Sequence, residues 1–237
     1  DSDAGWRLKG HGVEPMIDWL TTWAVAVRYP SDLGDSDEGY ILPGLEIIPE
    51  IVHSQITPDE GELFAASIGG VSGRARVRRE SLADRVARTV EVVNAEPNEQ
   101  WCLWVGLNAE AEALAKAIPD AVNIHGSLSP EAKADGLHAF ARGETRVLIT
   151  KPSIAAMGLN FQTCARTAFV GMSDSYEQYY QCIRRFYRFG QHRVVNAHIV
   201  LSDLEQQIAH NVERKETQAN LITDGMIRRL KKQEKAA

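Results

Sequence analysis

The sequence predicts an α/β fold, a parallel sheet with helices on both faces, with an N-terminal α/irregular extension before it and a C-terminal helix after it. Three observations carry this expectation. From Gln100 onward, short apolar runs alternate with helix-forming stretches at the spacing of strand–helix units. Trp101-Cys-Leu-Trp-Val105 is a continuous apolar run, as a strand buried on both faces requires. Residues 203–235 are densely charged and read as a long helix or a helical pair. The chain accordingly divides into an extension or insertion over 1–95, a sheet domain over 96–202 and a helical tail over 203–237.

Composition limits what such a fold can do. The 237 residues are 44% hydrophobic and 24% charged, values typical of a globular chain. No apolar run is long enough to span a bilayer, and the start has neither the basic nor the apolar region of a signal peptide. A membrane partner is not expected, and the expected location is the cytoplasm of a bacterial or phage-infected cell. The absence of an initiator Met suggests a fragment of something longer. Cys102, Cys164 and Cys182 are widely spaced and odd in number, which predicts buried reduced thiols and no metal site. A net charge of −6 hides segregation, because Arg74, Arg76, Arg78, Arg79, Arg85 and Arg88 crowd one region and Arg228, Arg229, Lys231, Lys232 and Lys235 crowd the tail. Local patches govern contact with phosphates, so nucleic acid stays open as a partner.

In order along the chain, residues 14–28 read as a helix with Pro15 in its first turn and Ile17, Leu20, Ala24 and Val27 as its apolar stripe. Trp19 and Trp23 flank that stripe, where packing is the commoner use of Trp and stacking on bases the rarer. Pro30 to Gly39 is turn chemistry, and Tyr40 to Val52 reads as short extended segments broken by Pro43 and Pro49. The acidic pairs Asp37-Glu38 and Asp59-Glu60 lack a preceding buried strand and read as surface turns. Gly69 to Gly73 reads as a flexible joint, since no Gly-Lys dipeptide occurs anywhere in the chain to complete a phosphate loop. Ser81 is expected to cap a helix to about Asn94, with Leu82, Val86, Val90 and Val93 inside.

Within the sheet domain, Asn108 is expected to cap a helix through Ala117. Val122–Ile124 is the second strand, and Pro130 opens a helix that buries Leu137, Phe140 and Ala141 and closes at Gly143. Val147–Ile149, Ala168–Val170 and Ala197–Leu201 complete the strands. Ligands of such sheets sit at the C-terminal ends of the strands. The loops there hold Ser127, then Thr150-Lys-Pro-Ser153, then Ala155-Ala-Met-Gly-Leu-Asn160, whose small residues let backbone approach a ligand.

Between the last two strands lies Tyr179-Tyr-Gln-Cys-Ile-Arg-Arg-Phe-Tyr-Arg-Phe-Gly-Gln191. On a helix, Gln181, Arg185 and Arg188 share one face, and Gly190 can stop that helix with a positive φ. Two guanidinium forks one turn apart suit a polyphosphate. A solvated basic turn complementing the helix dipole is the competing interpretation.

The motifs in this order resemble the second motor lobe of superfamily two helicases, within it the Swi/Snf-like and phage-encoded branch. Gln181-x-x-x-Arg185-x-x-Arg188-x-Gly190-Gln191 resembles the family's sixth motif. Arg146-Val-Leu-Ile-Thr150 with Ile154-Ala-Ala-Met-Gly-Leu-Asn-Phe161 resembles the fifth, with Ala155-Ala156 in place of paired glycines. His125-Gly-Ser-Leu-Ser129 and its helix are similar to the stretch between the fourth and fifth. The likeness covers about residues 98–202 and implies a RecA-like C-terminal lobe that works with an N-terminal motor lobe of the same protein. It implies Arg185 and Arg188 as arginine fingers, Gln181 orienting them, and Gly158, Asn160 and Gln191 also at the ATP site. It further implies ATP and Mg²⁺ held mainly by the other lobe, and contacts from Ser127, Thr150 and Lys151 to backbone phosphates of DNA, or of RNA. This chain alone is then not expected to hydrolyse ATP. A non-catalytic nucleic-acid- or protein-binding module on the same fold is the alternative, disfavoured by the intact Gln181/Arg185/Arg188 set. An unrelated nucleotide enzyme would need a phosphate loop of its own.

Overall fold

The computed structural model describes residues 9–53, 77–156, 158–171, 175–203 and 206–234. Arg74, Arg76, Lys235, Asp59-Glu60 and the joint at 69–73 lie outside them. The described chain forms two compact units, one of residues 42–212 and one of residues 1–41 with 213–237.

The larger unit is built on a six-stranded parallel sheet. Its strands are β1 (Leu45–Val52), β2 (Trp101–Trp104), β3 (Ala121–Ile124), β4 (Val147–Thr150), β5 (Arg166–Phe169) and β6 (Val195–Ser202), in the order β1-β6-β5-β2-β4-β3. The helices are α2 (Leu82–Ala95), α3 (Asn108–Ala117), α4 (Pro130–Ala141), the short α5 (Pro152–Ala155) and α6 (Tyr176–Ile183), numbered after α1 of the smaller unit. Successive residues of β2 point to opposite sides. Trp101, Leu103 and Val105 join Val147, Ile149, Ala168 and Val170 under Val86 and Val93 of α2 and Ala111 and Leu114 of α3. Cys102 and Trp104 join Leu148, Phe169, Ala197 and Ile199 under Leu137 and Phe140 of α4 and Tyr179, Cys182 and Ile183 of α6. Helices therefore cover both faces, as the apolar runs require.

β1 corrects the sequence reading of 40–52. It is one continuous strand, paired with β6 from Leu45↔Val195 to Val52↔Ser202. Pro49 fits because β1 is the sheet's edge and needs no donor on its open side. The sheet unit thus takes in residues before 96.

Two expected caps are also replaced. α3 begins after Leu107, and Asn108 is its first residue; Glu110 closes the turn by accepting from Gly106 N at 2.8 Å and Leu107 N at 2.9 Å. The Ser81 hydroxyl makes no cap bond and instead accepts from Arg85 Nε at 3.0 Å. Gly143 does close α4, at φ 79°, with Glu144 N reaching back to Ala139 O. Cys102, Cys164 and Cys182 are buried free thiols.

In the smaller unit α1 runs only from Val13 to Leu20, not to 28. Thr21 and Thr22 turn their hydroxyls back to the carbonyls of Asp18 and Trp19, and only Ile17 of the expected stripe is buried. Trp19 and Trp23 stack edge to face at 5.2 Å and stay more than half exposed. Asp37 accepts from Ser31 N, in a surface turn. α7 (Gln206–Glu234) is a single helix, whose Gly225 leaves room for Ile17 and whose Met226 and Ile227 are buried. Two members of its basic cluster are paired within the unit: Arg229 with Glu14 and Asp18, and Lys231 with Asp32. Among the described residues no helix is long and apolar enough to cross a membrane.

Candidate nucleotide and nucleic-acid site

The arginine segment is not the continuous helix its spacing suggests. α6 ends at Ile183, and Arg185 and Arg188 lie in the tight turns that follow, before Gly190 at φ 90°. What holds them is the loop after α5. Phe161 N donates to Arg185 O at 2.8 Å, and the Phe161 ring packs on Phe140 and Phe186 at 5.0 and 5.7 Å between centroids. Arg185 Nη1 donates to Leu159 O at 3.0 Å, while its Nε and Nη2 reach the backbone and side-chain oxygens of Gln181 at 3.1 and 3.3 Å. Arg188 Nη1 donates to Asn160 Oδ1. Gly158 precedes this loop at φ 76°, a conformation that favours glycine.

Gln181, Asn160, Arg185 and Arg188 are therefore brought together, with Gly158 two residues before Asn160. Gln191 is different. It is buried, its amide donates to Cys164 O at 3.0 Å, and its Oε1 accepts from Arg193 N at 2.9 Å. Its side chain shapes the turn from inside.

The electrostatics of the pair differ from those of five other arginines of this unit. Arg88, Arg142, Arg146, Arg166 and Arg193 each face a carboxylate. Among the described residues Arg185 and Arg188 face none. Burial, and then the Arg188 cation beside it, push the Arg185 guanidinium below its ordinary value. Arg188 Nε is buried without a partner. Two like charges held together with spare donors form a place for an anion.

The second group lies at the C-terminal ends of β2, β3 and β4. Ser127, Thr150 and Lys151 line one cleft of about 530 Å³ with Asn108, Glu112 and His125. Ser127 Oγ sits 2.8 Å from His125 Nδ1, and Lys133 Nζ fixes the loop through Gly126 O at 2.6 Å. The Thr150 hydroxyl is buried and donates to Ile124 O at 3.1 Å, so it ties β4 to β3. Ser127 is exposed and Lys151 half-buried. Lys151 also lines a smaller cleft of about 220 Å³ with Arg78, Gly106 and Gly171.

Among the described residues, two arginines of the Arg-rich region are turned to structural use, while Arg79 is exposed. Arg85 is wholly buried and bonded to Glu110 at 2.7 Å, to Ser81, and to the carbonyls of Val170 and Arg78. Arg88 pairs with Glu50 and Glu91. The Arg85–Glu110 pair braces the strand ends at Gly106 and Val170, and the two residues are 25 positions apart in sequence. The one signal in the sequence is a glutamate at the third position of the helix.

Residues 84–190 match the family model described as the helicase conserved C-terminal domain. The match falls within the sheet unit, whose fold is the RecA-like one of helicase C-terminal lobes. No curated protein matches the chain. Among solved structures, the RNA helicase Prp28 from Chaetomium thermophilum bound to ADP aligns at 16% identity and a TM-score of 0.54, over 75% of this chain and 38% of that one. The C-terminal domain of the DEAD-box protein Dbp5 aligns at 19% identity and a TM-score of 0.50, over 56% of this chain and 78% of that one. The chain thus spans well under half of the Prp28 structure, and these likenesses concern the fold.

Proposed function

We propose that this chain is the C-terminal motor lobe of an ATP-dependent helicase or translocase, on the motif spellings one of the Swi/Snf-like or phage-encoded branch, and incomplete without an N-terminal lobe. The observation that carries the reading is the uncompensated pair Arg185 and Arg188, fixed by Gln181, Leu159 O and Asn160. The donor set fits a polyphosphate: two cations, spare N–H groups and no carboxylate partner among the described residues. Arg185 and Arg188 would meet the terminal phosphates of ATP when the lobes close. ATP supplies the phosphoryl group and Mg²⁺ would arrive with it, held mainly by the other lobe.

In this reading Arg185 and Arg188 stabilise charge on the transferring group, an effect on the order of 10³–10⁵ in rate. Gln181 orients Arg185 through Oε1. Asn160 orients Arg188, and Gly158 gives the loop its path. Gln191 acts from the interior as a positioning residue. The exposed Ser127 hydroxyl and the Lys151 ammonium contact backbone phosphates of DNA, or of RNA, and Thr150 contributes by holding the β3 and β4 ends in register. Such contacts place a strand without reading its sequence. ATP turnover stimulated by nucleic acid, measured with the N-terminal lobe restored, tests the reading; a restored protein that binds both ligands yet never turns over ATP would refute it.

A further inference from the structure

A third arginine beside the finger pair lacks a carboxylate. Among the described residues Arg184 forms no ion pair, and the one hydrogen bond of its side chain runs from Nη1 to Tyr187 O at 3.4 Å. Its guanidinium lies 5.1 Å from the Tyr180 ring centroid and 5.8 Å from that of Tyr187. Tyr180 is 39% exposed and packs on Tyr176 at 5.9 Å. Tyr176, Tyr180 and Arg184 recur every four residues, along one side of α6 and the turn that extends it.

We propose that Tyr180, Arg184 and Tyr187 form a stacking platform for the bases of a single nucleic-acid strand. A guanidinium lying on aromatic rings keeps its edge donors for phosphate while the neighbouring ring offers a face to a base. This pairing of aromatic faces with uncompensated cations is what non-specific single-strand binding needs. The ladder continues over Tyr176, Tyr180, Arg184 and Tyr187, longer than one base, which favours a strand over the base of a mononucleotide. The inference rests on the nucleic-acid partner proposed above, but adds base contacts on a surface separate from Ser127 and Lys151.

The experiment is fluorescence anisotropy on this chain with a labelled single-stranded oligonucleotide and with the same strand made abasic, across a salt series. Tyr180→Ala is expected to weaken the intact strand about tenfold and leave the abasic strand unchanged. Its salt slope should stay that of the wild type, because stacking releases no counterions, whereas Lys151→Ala should lower the slope by about one. Arg184→Lys, which keeps charge but loses the planar stack, should weaken the intact strand more than the abasic one. Equal binding of intact and abasic strands by the wild type, or a Tyr180→Ala variant that alters only binding of a fluorescent ADP, would overturn the platform while leaving the phosphate contacts standing. No binding of either strand at any salt would overturn the nucleic-acid reading itself.

Discussion

Arg85 and Glu110, neither exposed to solvent, meet at 2.7 Å and join α2 to the C-terminal ends of β2 and β5. Glu110 also accepts from Gly106 N and Leu107 N, and Arg85 donates to Val170 O, so the pair sets the backbone on which the candidate site's clefts are built. Removing one partner strands a buried charge. Glu110→Ala is expected to cost about 3–5 kcal/mol in urea unfolding. The double variant Arg85→Met/Glu110→Met should cost well under the sum of the two single changes. Additive losses would contradict the coupling.

Gln191 makes a different prediction. Gln191→Leu leaves Cys164 O and Arg193 N without their side-chain partner, which should lower stability by about 1–3 kcal/mol. Any loss of nucleotide affinity should track that destabilisation. A stable variant with lost nucleotide binding would mean that Gln191 touches the ligand.

The smaller unit should show acid sensitivity centred on Asp32. Lys231, with the backbone N–H groups of Arg28 and Tyr29, holds its carboxyl at about 2, below the usual 3.8. The folded value is the lower one, so this stabilisation is fully present above the unfolded value and lost as pH falls through about 2. Wild type should exceed Asp32→Asn by about 1–2 kcal/mol at neutral pH, allowing for screening near the surface. The gap should narrow below pH 4. A gap that persists to pH 2 in urea midpoints would exclude this origin.

The thiols should be inert in the native protein. Burial pushes Cys164 up to about 12 and raises Cys102 and Cys182 as well. Ellman's reagent at pH 8 should label none of them until denaturant is added. Rapid labelling of any one would contradict its burial.

Much of this architecture could be read from residue patterns, and the failures share a cause. β2 and β4 announced themselves because strands buried on both faces must be apolar throughout. β1 did not, because an edge strand with one open side tolerates Pro49 and alternates exposed with covered residues. Arg185 and Arg188 were recognisable by spacing, yet the spacing implied a helix that stops at Ile183. The loop at 159–161, far off in sequence, is what aligns them. Arg85 reads as surface in any composition argument, since only the fold brings Glu110 to it. Trp19 and Trp23 fit a longer α1, which the two threonines cut short.

The central claim is that Arg185 acts on a phosphoryl group presented by another lobe. The measurement that tests it most directly is single-turnover ATP hydrolysis at saturating ATP and nucleic acid, on this chain alone and with its N-terminal lobe, comparing wild type, Arg185→Lys and Arg185→Ala. The account predicts no turnover by this chain alone, and in the two-lobe protein a fall on the order of 10³ for Arg185→Ala with partial retention in Arg185→Lys. Turnover by this chain alone, or a two-lobe rate indifferent to Arg185→Ala, would contradict it.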